Sequence, residues 1–127
     1  MKFEFRLDAP IYLQMAGILE DAIISGELKA DEKLPSVREL AALSRTNPNT
    51  VQKALAILSE KDLIYTRRTA GKYVRAQKKQ VDEMRLEKAQ AILKQAVMDL
   101  HALGCSDQEI QTLLAKECQY GTGSDQS

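Results

Sequence analysis

The side chains best suited to recognition chemistry lie in one segment of the sequence, residues 47–53. Asn49 and Gln52 carry amide groups that can match the neighbouring donor and acceptor of adenine, and Lys53 can bind a phosphate. At about 100° per residue of a helix, these three side chains share one face, opposite an apolar face. By itself this pattern favours an ordinary solvated helix surface, so its interpretation depends on the surrounding sequence.

The surrounding sequence is strongly basic, although the whole chain has a formal net charge of zero. Residues 1–37 carry 4 basic and 7 acidic side chains, a net charge of −3. Residues 38–79 carry 10 basic and 3 acidic side chains, a net of +7, and residues 80–127 carry 4 and 8, a net of −4. A basic patch between acidic flanks favours a polyanionic partner for the middle third of the chain.

Sequence signals for two helices precede residues 47–53. Residues 8–10 are typical of a helix start, and Gly26 is typical of a helix end. Ser36 and Glu39 have the spacing of a capping box, in which each side chain satisfies a free backbone N–H of the other residue. The capping box predicts a short second helix over residues 37–43.

A third helix is predicted to begin at Asn47, a good N-cap, followed by Pro48, whose fixed φ suits the first turn. Its buried side is predicted to contain Val51, Ala54, Leu55 and Leu58.

A basic hairpin is predicted next. Residues 63–66 and 73–74 are rich in β-branched and aromatic side chains, and they bracket a basic tip at residues 67–72. A basic tip alone is typical of a soluble turn, but paired arginines can also reach phosphates or a narrow minor groove.

Three helices, a tight turn between the second and third, and a basic hairpin predict a winged helix-turn-helix. In this fold the helix after the tight turn is the recognition helix, which enters the major groove of DNA. The predicted fold class is therefore mainly α with a small β wing, followed by a two-helix C-terminal dimerisation extension.

The candidate DNA contacts are the polar and basic side chains that this scaffold would bring to one surface. They are Ser36, Arg38, Arg45, Asn47, Asn49, Thr50, Gln52, Lys53, Arg67, Arg68, Thr69 and Lys72. Their coincidence with the basic segment favours a sequence-specific DNA-binding regulator. Because winged helices are not restricted to DNA, a winged-helix protein–protein interaction module is the alternative.

Three motifs resemble the GntR family of bacterial regulators: Pro-Ile-Tyr at residues 10–12, the run at residues 34–41, and Asn-Pro-Asn-Thr-Val at residues 47–51. The last motif is similar to the YtrA subfamily in particular, and the similarity is close over about residues 8–75. The resemblance implies a homodimeric repressor, often of its own operon and of transporter genes, with a C-terminal part too small for the large ligand-binding domains of other members.

The resemblance also carries over DNA-contact roles by position. These fall on Ser36 and Arg38 in the second helix, on Asn47, Asn49, Thr50, Gln52 and Lys53 in the third, and on Arg68 and Thr69 in the wing. The sequence departs from the family pattern in two places. Asp31 stands where the family usually has glycine, and the wing lacks the usual Gly-rich run.

The chain continues with two further predicted helices. The first spans about residues 80–103 and ends at Gly104, and a capping box of Ser106 and Glu109 opens the second. Their apolar stripe needs a partner, and a second copy of the chain is the commonest solution. The predicted dimer interface contains Val81, Met84, Ile92, Leu93, Val97, Leu100, Leu103, Ile110, Leu113 and Leu114. Packing of the stripe on the chain's own DNA-binding domain is the alternative.

These elements predict three regions. Residues 1–76 form the winged helix-turn-helix domain, residues 77–118 form the helical dimerisation and effector region, and residues 119–127 form a disordered tail. A dimer would present two recognition helices to a two-fold operator in double-stranded DNA. No residue pattern identifies a small-molecule effector.

The sequence offers little for catalysis, so we expect no enzyme. Its one histidine, His101, lies within a predicted helix, and neither a Gly-rich phosphate loop nor a nucleophile motif occurs. The spacings of His101, Cys105 and Cys118 fit no compact zinc pattern, so neither a metal nor a cofactor is expected. The chain has no apolar run long enough to span a bilayer and no signal-peptide core, which predicts a cytoplasmic protein without a membrane partner.

Overall fold

The computed structural model describes residues 1–68 and 70–120. Along these residues the elements are α1 (Ile11–Ser25), α2 (Val37–Ser44), α3 (Pro48–Glu60), β1 (Ile64–Arg67), β2 (Gly71–Val74), α4 (Lys78–Ala102) and α5 (Asp107–Tyr120). The predicted class, mainly α with a small β wing, is confirmed. The chain divides into two compact units, Met1–Arg85 and the described residues from Leu86 onwards.

Helix α1 ends at its predicted stop, and α2 and α3 begin at their predicted caps. Gly26 ends α1 with a φ of 86°, a left-handed conformation that glycine adopts without steric cost. At the start of α2 the Glu39 N–H donates to the Ser36 hydroxyl at 3.1 Å, and the Ser36 N–H donates to the Glu39 carboxylate at 2.8 Å. At the start of α3 the Thr50 N–H donates to the Asn47 side chain at 3.0 Å. Both predicted caps are therefore confirmed.

The core of the first unit lies between these helices and the hairpin. Met15 and Leu19 of α1, Leu40 of α2 and Leu58 of α3 are each 0% exposed. The predicted buried side of α3 is confirmed, because Val51, Ala54, Leu55 and Leu58 are all buried.

The wing is an antiparallel hairpin in which Ile64 pairs with Val74 and Arg67 with Gly71. The strands extend further than the sequence predicted, so Arg67, Gly71 and Lys72 lie in strands and not in the tip. The reason is the tight closure of the turn, where the Ala70 N–H donates to the Arg67 carbonyl at 3.2 Å. Gly71 has a φ of 98°, which favours glycine at this position.

The first two turns of α4 pack on the first unit. Val81 is 8% exposed, and Met84 packs against the core. The Gln80 side chain donates to the Lys61 carbonyl at 2.6 Å, and Arg85 donates to the Ile24 carbonyl at 2.6 Å. These contacts correct two assignments: the first unit extends past residue 76 to Arg85, and Val81 and Met84 are covered by their own chain instead of facing a partner.

The second unit contains the rest of α4 and the whole of α5. Gly104 turns the chain with a φ of 95°, and the predicted Ser106 and Glu109 capping box forms at the start of α5. Helix α5 continues through Tyr120, so residues 119–120 are helical and not part of a disordered tail, because the helix begins with a complete cap and meets no breaker before Gly121. The rest of the predicted tail, residues 121–127, lies outside the described residues.

No helix among residues 1–68 and 70–120 is long and apolar enough to cross a membrane.

Candidate nucleic-acid interface

The outer face of α3 is polar and open. Asn49, Gln52 and Lys53 are exposed, as the helical spacing predicted, and Thr50 is half-buried. Asn47 precedes this face, and its side-chain oxygen is engaged by the Thr50 N–H. Asn49 and Gln52 are therefore exposed amides that can reach base edges, and Lys53 is an exposed cation that can reach phosphates.

An aromatic ring from α1 lies beneath one end of this face. The Nζ atom of Lys53 lies 5.5 Å from the centre of the Tyr12 ring, within the range of a cation–π contact. Sequence reasoning did not assign Tyr12 to the site, although Tyr12 belongs to the Pro-Ile-Tyr motif. The contact places the Lys53 ammonium beside a ring of α1.

Hydrogen bonds of the buried Ser44 stabilise the turn between α2 and α3. The Ser44 hydroxyl lies 2.6 Å from the Leu40 carbonyl and 2.8 Å from the Thr46 hydroxyl. Arg45 caps α2 in the left-handed region with a φ of 56°, and its side chain is exposed. The turn therefore presents a cation between the two helices.

The start of α2 adds a second cation, because Arg38 is exposed one residue after the helix begins. The Ser36 hydroxyl is engaged in the capping box, and the bond from the Ser36 N–H holds the pKa of Glu39 below its usual value. The lowered pKa favours the ionised form of Glu39, which accepts the hydrogen bond that caps α2.

The wing and α2 meet at a cavity of about 370 Å³. Its lining includes Ser36 from the start of α2, Lys72 from β2, and Lys33 from the preceding loop. Lys72 also donates to the Thr66 hydroxyl at 3.2 Å. The structure thus brings the predicted residues Ser36 and Lys72 to one cavity. Lys33 also lines this cavity and was not predicted, because its position depends on the pairing of Lys33 with Tyr73.

The two wing arginines differ in their surroundings. The Arg67 guanidinium lies over the Tyr73 ring at 4.3 Å and donates to the Tyr65 hydroxyl at 3.3 Å, and this hydrogen bond raises the pKa of Arg67. Arg68 follows in the turn and is exposed. Thr69, which was predicted to contact DNA, lies outside the described residues.

The remaining candidate ligands lie in the second unit. The Nε2 atom of His101 is 2.6 Å from a carboxylate oxygen of Asp107, which links the end of α4 to the start of α5. Cys105 and Cys118 are free thiols. Over the described part of the chain, no three His, Cys, Asp or Glu side chains are grouped so that they could hold a metal ion.

A helix-turn-helix with an exposed polar second helix and a basic wing defines a winged helix-turn-helix DNA-binding protein. The chain belongs to the GntR family, because the family model "Bacterial regulatory proteins, gntR family" matches residues 11–74. It is a DNA-binding transcriptional regulator of the YtrA type, as its motifs predicted.

The relatives support this assignment. The chain is 37% identical over 100 residues to the HTH-type transcriptional repressor YtrA of Bacillus subtilis, covering 78% of this chain and 77% of that protein. A GntR family transcriptional regulator from Listeria monocytogenes has a similar structure, with a TM-score of 0.78 and 33% identity over 88% of this chain and 98% of that one. The DNA-binding domain of AraR, solved in complex with operator ORX1, has a TM-score of 0.53 and 25% identity over 58% of this chain and 98% of that one.

Proposed function

We propose that this chain is a homodimeric repressor that binds a two-fold operator in double-stranded DNA, in the cytosol, and that this operator lies upstream of its own operon. Transporter genes are the targets that its subfamily resemblance favours. The observation that carries the proposal is the open face of α3, where Asn49, Gln52 and Lys53 are exposed between the cations of α2 and the wing. Such a face combines groups for base edges with groups for the backbone.

Dimerisation is supported by the apolar surface of the second unit. A groove of about 310 Å³ between α4 and α5 is lined by Leu93, Ala96, Val97, Leu100, Ile110, Leu113, Leu114 and Glu117. Leu93, Leu113 and Leu114 are each about half exposed, and Ile92 and Leu103 are 72% and 80% exposed. A second copy of the chain would cover such a surface symmetrically and would pair two recognition helices.

Sedimentation of the purified protein, with and without DNA from its own upstream region, tests the proposal directly. We expect a dimer that binds this fragment in preference to unrelated DNA and that loses affinity steeply as salt increases. A dimer that binds unrelated duplexes equally well would refute autoregulation. A dimer that ignores DNA even at low salt would favour the protein–protein interaction module.

The Arg38→Ala variant tests the α2 cation within the proposed interface. Loss of one phosphate contact should weaken binding to all duplexes and lower the slope of log affinity against log salt by about 0.9. Lys94→Ala is the matched control, because it removes one positive charge from an exposed site in the second unit. An affinity that Arg38→Ala leaves unchanged in a binding titration would contradict a contact by Arg38.

A further inference from the structure

The wing of this chain carries two tyrosine rings that stack on each other. Tyr65 of β1 and Tyr73 of β2 are directly paired across the hairpin, and their ring centres lie 5.8 Å apart in a stacked arrangement. Because side chains alternate along a strand, these rings lie on the face opposite the buried Ile64 and Val74. Arg67 lies on the same outer face as Tyr65.

Arg67 is held on these rings by three contacts. The centre of its guanidinium lies 4.3 Å from the Tyr73 ring and 5.8 Å from the Tyr65 ring. One of its amino groups donates to the Tyr65 hydroxyl at 3.3 Å. Arg75 contacts Tyr65 as well, at 5.2 Å. A guanidinium placed in this way uses its flat surface and one donor within the wing.

The network continues to the loop before α2 through Asp31. The Tyr65 hydroxyl donates to a carboxylate oxygen of Asp31 at 2.9 Å, and the Asp31 N–H donates to the Val74 carbonyl at 2.8 Å. Asp31 has a φ of 66°, a left-handed conformation that aspartate tolerates better than most residues. Asp31 therefore adopts the backbone that a glycine would supply and adds a side-chain bond to the wing.

We propose that Arg67 is a positioning residue that stiffens the wing through Tyr65, Tyr73 and Asp31, and that Arg68 is the wing arginine that contacts the DNA backbone. This revises the sequence-based prediction that both arginines contact DNA. The division follows from geometry: both arginines are exposed, but the Arg67 guanidinium lies on the Tyr73 ring and donates to the Tyr65 hydroxyl, whereas Arg68 lies in the turn. The inference rests on the proposed operator binding.

Salt titration of DNA affinity separates the two arginines. The probe is a duplex that the wild-type protein selects from a random pool, and the variants are Arg67→Ala and Arg68→Ala. Arg68→Ala should lower the slope of log affinity against log salt by about 0.9, the value for one lost phosphate contact. Arg67→Ala should leave this slope unchanged, weaken affinity and speed the hydrogen exchange of the β1 and β2 amides.

Tyr65→Phe is the second variant, because it keeps the ring and every charge but removes the hydroxyl that joins Arg67 to Asp31. It should speed exchange of the same amides with an unchanged salt slope. A slope lowered by about 0.9 in Arg67→Ala would overturn the positioning role, as would unchanged exchange in both Arg67→Ala and Tyr65→Phe. An unchanged slope in Arg68→Ala would overturn the backbone contact.

Failure of the proposed operator binding gives a different result from failure of the positioning role of Arg67. A wild-type protein that enriches no duplex overturns operator binding and the Arg68 contact together. Hydrogen exchange of the β1 and β2 amides, measured without DNA, still decides whether Arg67 and Tyr65 stiffen the wing.

Discussion

The two units of this protein use the same helix signals but differ in what their apolar side chains contact. In the first unit Met15, Leu40 and Leu58 are fully buried, whereas in the second Ile92 and Leu103 are 72% and 80% exposed. Both units open a helix with a complete Ser–Glu capping box. Local signals therefore define helices equally well in both units, but the second unit leaves large apolar side chains exposed that the first unit buries.

The largest effect is expected from a charge in the apolar groove. Leu93→Glu should convert the proposed dimer to a monomer and lower affinity for the proposed operator by about 10²–10⁴, because one protein assembly no longer binds both half-sites. Analytical ultracentrifugation and a binding titration would measure both. Ala91→Glu is the control, because residue 91 is exposed about 200° around the same helix. A Leu93→Glu protein that remains dimeric would place the interface elsewhere.

Truncation in the core should have the next largest effect. Leu58→Ala removes a 0% exposed side chain of α3 and should lower the free energy of unfolding by about 2–5 kcal/mol. Leu43→Ala, at a position 63% exposed on α2, should change it by no more than about 0.5 kcal/mol. Denaturant titration at one protein concentration measures both. Equal effects of the two substitutions would contradict the assigned core.

Removal of either capping box should have a smaller effect on stability, and it compares the same helix start in the two units. Ser36→Ala should lower the free energy of unfolding of the first unit by about 0.5–2 kcal/mol, and Ser36→Asp should restore most of it, because aspartate is a good N-cap. Ser106→Ala should speed hydrogen exchange in the first turns of α5 and leave the core amides of the first unit unchanged. Faster exchange of the core amides of the first unit in Ser106→Ala would argue against separate units.

The smallest effect concerns pH. Hydrogen bonds from the backbone N–H groups of Ser36 and Ser106 lower the pKa values of Glu39 and Glu109. A carboxyl group with a lower pKa in the folded state contributes stability above its unfolded pKa and loses that contribution as pH falls through the folded pKa. The starts of α2 and α5 should therefore loosen together in acid, as seen by amide exchange. Glu39→Gln should make the start of α2 less sensitive to acid, with α5 as the internal control.

The start of α2 shows which features were predictable. Ser36 and Glu39 are three residues apart, so their bonds depend on one turn of backbone and could be read from the sequence. The buried side of α3 and the open position of Gln52 followed from helical periodicity in the same way. The wing network could not be predicted, because Tyr65 and Asp31 are far apart in sequence and meet only when the loop before α2 pairs with β2.

The amino-acid sequence by itself determined the order of elements, the caps, the polar face of α3 and the segregation of charge, because each depends on neighbours within a few residues. Only the tertiary structure decided which side chains those elements leave free. It covers Val81 and Met84 with the first unit, leaves Leu103 open in the second, and holds Arg67 on tyrosine rings beside the exposed Arg68. The physical reason is that burial and stacking depend on contacts between distant segments, which local periodicity does not encode.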